Sequence, residues 1–240
     1  MLVALSSTKG GVGCSVTSAA LGLIAAERRS TLLVDLGGDL PTILGVDGSI
    51  DGAGRGAAAG VLDWLATERP PADALGRLEV AAGPRLTVLP LGTRPGNESA
   101  DAHPPAADRL DLLAAVLAGE QRVVVVDVGN AAERFAPLLD RADVSIHVSR
   151  SCYLALRRRP LRRRSDRVVL IRELGRALRP VDVAAAIGAP VSVTVDWDPA
   201  VARAVDAGLL PARLPRSLRP LRSLLAGSDG RLAASGGKQT

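Results

Sequence analysis

The stretch STKGGVGCS, residues 7–15, follows a short apolar segment and leads directly into a helical pattern. Glycines at this junction allow successive backbone N–H groups to converge on an anion, and the start of the helix adds the positive end of its dipole. The stretch therefore predicts a phosphate-binding loop. A lysine is expected just before the final serine of such a loop, but Cys14 stands there, while the hydroxyl of Ser15 is kept.

Outward from this loop, short Val/Leu-rich runs alternate with longer helical patterns. Nearly continuous apolar runs of this length are typical of parallel strands that are covered on both faces. The sequence thus predicts an α/β fold, a doubly wound and mainly parallel sheet with helices on both faces. The predicted strands are Leu2–Ser6, Thr31–Asp35, Leu86–Leu89, Arg122–Asp127, Val144–Val148, Val168–Ile171 and Val191–Val195.

The helical patterns have apolar residues at spacings of three and four. We expect one domain over residues 1–226, loops at 48–60 and 92–105 where Gly and Pro leave no periodic apolar face, and a disordered tail over residues 227–240. The predicted helices are Ser15–Arg28, Val61–Thr67, Ala106–Leu117, Ala131–Leu139, Tyr153–Arg159, Val181–Ile187, Pro199–Ala207 and Leu218–Ala226.

Composition narrows the class of protein. The 240 residues are 47% apolar, enough for a substantial core, yet no run is long enough for a transmembrane span and no signal peptide is evident, so we expect a cytoplasmic protein. Two cysteines and two histidines exclude a disulfide framework and a zinc site of ordinary spacing. A net charge of +5 permits weak attraction to nucleic acid or anionic membranes without identifying either partner.

Two acidic residues end predicted strands, Asp35 in TLLVDLGGDLPTILG and Asp127 in RVVVVDVGN. A glycine loop followed by an acidic residue at the end of the second strand is also found in dinucleotide-binding folds. That alternative is disfavoured because its third glycine position is Val16, which does not allow the close helix packing of the dinucleotide motif. A GTPase is disfavoured because neither of the two lysines, Lys9 and Lys238, lies in an Asn-Lys-x-Asp motif.

Taken together, these segments resemble the ParA/MinD family of P-loop ATPases, whose loop pattern is K-G-G-x-G-K-[ST]. Lys9 matches the family's signature lysine, and the resemblance extends by element order to about residue 226. It implies a P-loop NTPase fold, ATP and Mg²⁺ as cofactors, and a nucleotide-dependent homodimer in which Lys9 reaches the partner's nucleotide. The implied nucleotide-binding residues are Lys9, Gly10, Gly11, Val12, Gly13, Cys14, Ser15, Asp35, Asp127 and Gly129. The implied Mg²⁺ residues, acting partly through water, are Ser15, Asp35 and Asp127.

Two departures from the family pattern concern hydrolysis. Cys14 removes a positive charge from the γ-phosphate position, and Gly37 stands where the family carries a second aspartate that orients the attacking water. Single losses of this kind cost about a hundredfold in rate, so very slow or absent hydrolysis is expected. Asp39 is a candidate replacement carboxylate, and Lys9 is the other candidate catalytic residue. A reactive low-pKa thiol at Cys14 is a further alternative, less favoured than a small neutral filler.

These features predict a nucleotide-dependent positioning or assembly factor with an unidentified protein partner, which acts in pilus or secretion-machinery localisation or in septum-site or chromosome-partition positioning. Its divergent loop is similar to that of the CpaE/TadZ branch, which localises pilus or secretion machinery. Two alternatives stay open: an active partition ATPase that binds DNA nonspecifically through the arginine-rich stretch Arg157–Arg167, and a scaffold that binds no nucleotide. The stretch RSLRPLRSLLAG (residues 216–227) has an amphipathic pattern, but Pro220 favours a last helix packed on the sheet over a peripheral membrane anchor.

Overall fold

The computed structural model describes residues 1–46, 59–92, 106–157 and 165–226. Eight strands form one sheet in the order β3-β4-β2-β5-β1-β6-β7-β8, and all neighbouring pairs are parallel except β3 with β4. The strands are β1 Leu2–Ser6, β2 Thr31–Asp35, β3 Val80–Gly83, β4 Leu86–Leu89, β5 Val123–Gly129, β6 Val144–Arg150, β7 Arg167–Arg172 and β8 Val191–Asp196. The predicted α/β doubly wound, mainly parallel sheet is confirmed.

Helices cover both faces of this sheet. The α-helices are α1 Cys14–Ala26, α2 Leu40–Leu44, α3 Val61–Ala66, α4 Ala107–Ala118, α5 Ala136–Arg141, α6 Tyr153–Arg157, α7 Pro180–Ile187 and α8 Pro199–Asp206, with 3₁₀ helices at Ala72–Leu78 and Arg216–Leu224. Successive side chains of a strand point to opposite faces of the sheet, so alternate strand residues pack in two separate hydrophobic cores. In β1, Val3 and Leu5 pack with α1, whereas Leu2 and Ala4 pack with α3 and α4.

Several predicted elements differ from the structure. The α2 helix, the first 3₁₀ helix and β3 were not expected; β3 is a half-exposed edge strand of Val, Ala and Gly, a composition with little strand preference. The α5 helix begins at Ala136 and not at Ala131, because residues 132–135 form turns. The expected loops at 48–60 and 92–105 and the tail at 227–240 lie almost wholly outside the described residues.

The last described segment, Arg216–Leu224, is a 3₁₀ helix, so the α-helix predicted over 218–226 is wrong. Leu218, Leu221 and Leu224 recur every third residue, which places them on one side of a helix with three residues per turn. All three are buried against the core of the α1 face, and Pro220 interrupts the backbone bonding that an α-helix would need. The apolar face of this segment therefore packs on the sheet, and among the described residues no helix is long and apolar enough to span a membrane.

A titratable side chain is buried in the middle of the sheet. His147 lies in β6 opposite Ser6 of β1, is 3% exposed, and has its pKa lowered from 6.5 to about 4 by burial. The unfolded chain therefore binds a proton more readily than the folded protein does, and the contribution of neutral His147 to stability is complete above pH 6.5. That contribution is lost as the pH falls toward 4.

We predict that the wild type loses about 2 kcal/mol more of its free energy of unfolding between pH 8 and pH 5 than the His147→Gln variant does. The measurement is urea denaturation of both proteins at each pH. Using the difference between the two proteins removes the contribution of the acidic residues, which titrate in both. Equal losses in the wild type and the variant would contradict the prediction.

A phosphate loop and paired aspartates at the carboxyl edge of the sheet

The loop over residues 7–13 leaves β1 at the carboxyl edge of the sheet and turns into α1. Gly11 and Gly13 have φ values of 75° and 93°, in the left-handed region that glycine adopts without strain. A Cβ at Gly10 or Gly11 would have no atom within 4 Å, so open space adjoins the backbone here. Ser7 anchors the loop, since its backbone N–H donates to the carbonyl of Gly129 at 2.7 Å. A fixed glycine turn at the start of a 13-residue helix is a suitable anion cradle.

The thiol of Cys14 is buried at the base of this loop, close to Asp127, Ser7 and the backbone of Gly129. Its side chain is 6% exposed and packs in the core of the α1 face with Val12. Burial, reinforced by the nearby carboxylate of Asp127, raises the pKa of the Cys14 thiol well above its usual value. The thiol therefore stays neutral, and the alternative of a reactive low-pKa cysteine is wrong because desolvation outweighs the helix dipole.

The two acidic strand ends lie side by side, because Asp35 of β2 is in register with Asp127 of β5. Both side chains are fully buried. Burial raises the pKa of Asp35 to about 7, and the charge of Asp127 adds to the effect against opposing backbone hydrogen bonds. Burial likewise raises the pKa of Asp127. Two adjacent buried carboxylates are a charge arrangement that a divalent metal would relieve.

The two carboxylates differ in what they bind. The oxygens of Asp35 accept the backbone N–H groups of Gly37 at 3.1 Å, Gly38 at 2.7 Å and Leu40 at 3.2 Å, and thereby fix the turn that follows β2. Within the described residues, Asp127 accepts one backbone hydrogen bond, from Gly129 to Oδ1 at 3.2 Å. Its Oδ2 is buried and receives no hydrogen bond from any described residue. An unsatisfied buried carboxylate oxygen is costly and calls for a ligand or metal.

Oδ2 of Asp127, the orphan oxygen of this site because it accepts no hydrogen bond from the described residues, faces a small space beside Ser15. A Cβ built on Gly37 would lie 3.0 Å from Oδ2 of Asp127 and 3.4 Å from Oγ of Ser15, so Gly37 keeps this space open. Ser15 is half-buried at the start of α1, and its hydroxyl lies near enough to Asp127 to favour the ionised carboxylate. A hydroxyl and a carboxylate around a glycine-lined space fit Mg²⁺, which prefers oxygen ligands and keeps several of its waters. Among residues 1–46, 59–92, 106–157 and 165–226, no set of three or more acidic, Cys or His residues forms a richer metal site.

The remaining predicted residues lie at the rim. Lys9 is half-buried in the loop, and Ser7 donates a hydrogen bond to its carbonyl at 3.2 Å. Asp39 is exposed and precedes α2, two residues after Gly37. Gly129 has a φ of 58°, and a Cβ there would lie 3.4 Å from Cα of Gly37, so the segments after β2 and β5 touch through their glycines. The catalytic roles of Lys9 and Asp39 stay predictions.

Residues 158–164 of the arginine-rich stretch lie outside the described residues, so its predicted contact with DNA has no structural description. One basic residue near the loop was not predicted from the sequence. Arg150 ends β6, and its Nη1 donates to the carbonyl of Gly11 at 3.3 Å. A basic residue directly after an apolar strand that neighbours β1 is the pattern that could have identified it.

Neither a protein-family model nor a curated protein matches this sequence. The fold, however, matches solved structures along nearly the whole chain. A ParA family ATPase from Chlorobium tepidum has a TM-score of 0.69 at 18% identity, with 93% of this chain and 97% of that chain covered. MinD complexed with Mg-ADP from Pyrococcus horikoshii has a TM-score of 0.69 at 18% identity, with 99% of each chain covered. The MinC:MinD cell division complex of Aquifex aeolicus gives 0.67 at 18% identity, with 95% and 96% covered. These neighbours establish a ParA/MinD-type P-loop NTPase fold.

Proposed function

We propose that this chain is a ParA/MinD-like nucleotide-binding protein that holds Mg-ATP, hydrolyses it weakly or not at all, and acts as a nucleotide-dependent positioning or assembly factor. The observation that carries the proposal is the orphan Oδ2 of Asp127, which faces Ser15 at the base of an open phosphate loop. A buried carboxylate oxygen that accepts no hydrogen bond within the described residues is explained if a cation completes the site when nucleotide binds.

Nucleotide binding is supported by the groups that remain. The loop of Gly10, Gly11 and Gly13 offers backbone N–H groups, and α1 adds its positive dipole end. In the proposed site Ser15 and Asp127 hold Mg²⁺, partly through water, while Asp35 faces it from the neighbouring strand and fixes the turn at 37–40. When bound, the metal would neutralise charge on the β- and γ-phosphates.

Weak hydrolysis follows from the two substitutions. The neutral thiol of Cys14 is packed in the core and brings no positive charge to the γ-phosphate. Gly37 itself has no carboxylate that could orient water, and Asp39 is an exposed candidate two residues later in the same turn. Each loss lowers the rate of hydrolysis by about a hundredfold. The protein therefore keeps nucleotide binding while hydrolysis is largely lost, and the nucleotide serves as a dimerisation and docking signal.

The proposed cellular role is based on what the names of the structural neighbours say of those proteins. Their names place them in cell division and in the ParA family of ATPases, and one is solved in complex with a second protein. We propose a cytoplasmic homodimer that recruits an unidentified protein partner, with pilus or secretion machinery of the CpaE/TadZ type as the first cargo to examine.

The test is the melting temperature and solution mass of the purified chain with Mg-ATP, with Mg-ADP and without nucleotide. We expect Mg-ATP to raise the melting temperature, because a ligand that binds only the folded protein stabilises it by mass action. We also expect Mg-ATP to convert monomer to dimer, and Lys9→Ala to abolish the dimer while keeping the thermal shift.

The alternatives give different results in the same experiment. A scaffold that binds no nucleotide shows neither shift, which would overturn the proposal. An active partition ATPase releases phosphate and binds nonspecific DNA when ATP is present, through Arg157–Arg167. Phosphate release faster than about 0.6 per minute, the partner-free rate of a slow NTPase that has its catalytic arginine in the same chain, would overturn the proposed weak hydrolysis.

A further inference from the structure

Arg150 stands at the phosphate loop on a rigid element. It is the last residue of β6, the strand that pairs with β1, and Ser6 of β1 is in register with His147. Arg150 therefore lies three residues beyond that pair, at the edge where the chain leaves β1 for the loop. Its guanidinium donates from Nη1 to the carbonyl of Gly11 at 3.3 Å. This contact joins the cation directly to the loop proposed to hold phosphate.

A carboxylate fixes the guanidinium in this place. Nη2 of Arg150 forms an ion pair with Oε1 of Glu173, and Arg176 donates from Nε to Oε2 of the same side chain at 2.6 Å. Glu173 is 17% exposed and Arg150 is 30% exposed. One carboxylate between two guanidinium groups leaves a net positive charge at the rim of the loop. A partly exposed guanidinium with five N–H donors can reach an anion while it keeps both of these contacts.

We propose that Arg150 supplies the positive charge that position 14 lacks, by donating to the β- and γ-phosphates of the bound nucleotide. The inference rests on the proposed function. Cys14 is buried and neutral, so the loop has no cation at its ordinary position, whereas Arg150 touches the loop backbone from the neighbouring strand. A planar guanidinium suits phosphate oxygens because it donates two parallel hydrogen bonds. Glu173 is then a positioning residue that holds Arg150 and competes with phosphate for its charge.

The test is calorimetric titration of the full chain with Mg-ATP, Mg-ADP and AMP. We expect Arg150→Ala to weaken Mg-ATP and Mg-ADP by about 10- to 100-fold, the usual effect of losing a charged hydrogen bond, and AMP by less than about threefold. Arg150→Lys keeps the charge without the fork and is expected to recover part of the loss. The matched control is Arg172→Ala, which removes an exposed arginine of the neighbouring strand paired with Asp196, and it should leave all three affinities unchanged.

A second variant separates phosphate binding from a structural role. Glu173→Gln frees Arg150 from its competing carboxylate, so we expect Mg-ATP to bind about threefold or more tightly. In the Arg150→Ala background the same Glu173→Gln change should have no effect, because the charge it releases is gone. A purely structural ion pair would instead make Glu173→Gln weaken binding.

The outcomes distinguish this inference from the proposed function. Wild-type binding of Mg-ATP that Arg150→Ala leaves unchanged overturns the role of Arg150 and leaves the proposed function standing. An equal loss for AMP and Mg-ATP also overturns it, because the terminal phosphates would not be the groups contacted. Absence of any nucleotide binding by the wild type overturns both.

Discussion

Alanine at position 60 is expected to lower the free energy of unfolding by about 4 kcal/mol or more, the largest effect of a single methyl group in the described part of the chain. A Cβ on Gly60 would lie 2.1 Å from the carbonyl oxygen of Pro90 and 2.5 Å from the backbone nitrogen of Gly92. These are backbone atoms, which cannot rotate away as a side chain would. The two segments must separate, and the hydrogen bond from Val61 to Pro90 at 2.9 Å would be lost with them.

The consequence reaches the core because α3 begins at the next residue. Val61, Trp64 and Leu65 of α3 are all buried on the face of the sheet opposite α1. Moving the start of α3 away from the segment after β4 would expose part of that core. Chemical denaturation of the wild type and Gly60→Ala measures the loss directly, and a variant recovered only as aggregate agrees with it.

Gly76→Ala is the matched control, because a Cβ there has no atom within 4 Å. We expect its stability to lie within about 0.5 kcal/mol of the wild type. Gly92→Ala should repeat the effect of Gly60→Ala, since its Cβ would lie 2.4 Å from the backbone nitrogen of Gly60 and its φ is 82°. A Gly60→Ala protein as stable as Gly76→Ala would contradict the close approach of these two segments.

Much of the fold could be predicted because its determinants are local. Leu2–Leu5 of β1 and Val123–Val126 of β5 are uninterrupted apolar runs. Such runs indicate strands that are buried on both faces, and they can be read directly from the sequence. The contact between Gly60 and Gly92 could not be predicted, because it joins positions 32 apart in sequence that carry no pattern. The edge strand β3 was missed for a related reason: its pairing with β4, and not its own residues, makes it a strand.

The candidate site also has features that could be predicted from the sequence and features that could not. The loop glycines, Ser15 and Asp127 follow strand ends, where parallel topology gathers side chains at one edge, so their proximity was predictable. The burial of Cys14 was not, since it depends on which way the first turn of α1 faces. Nor could the sequence show that Gly37 does more than omit a carboxylate. Its missing side chain also keeps open the space between Asp127 and Ser15.

Asparagine at position 127 is expected to have two opposite effects. It should remove the Mg²⁺-dependent part of ATP binding, about a 100-fold loss, because an amide cannot supply the anionic oxygen that orders the metal and its waters. It should also raise the melting temperature of the nucleotide-free protein. Burial raises the pKa of Asp127, which means that its charge destabilises the folded state at pH 7, and a neutral amide removes this penalty.

The measurements are ATP titrations with Mg²⁺ and with excess EDTA, and thermal unfolding without nucleotide. The amide can keep the hydrogen bond from Gly129, so the turn after β5 should hold its shape. Gly37→Ala is the companion variant: its methyl group would lie 3.0 Å from Oδ2 and should weaken Mg-ATP binding without the gain in stability.

Together the two variants distinguish a metal-binding role of Asp127 from a purely structural one. A structural Asp127 would make Asp127→Asn less stable and leave the response to Mg²⁺ intact, the reverse of both expectations. A gain in stability coupled to a loss of metal response would mean that the chain tolerates the cost of a buried, ionised carboxylate at the carboxyl edge of β5. Such a cost is explained by the cation that arrives with the nucleotide, even in a protein whose phosphate loop has lost its lysine.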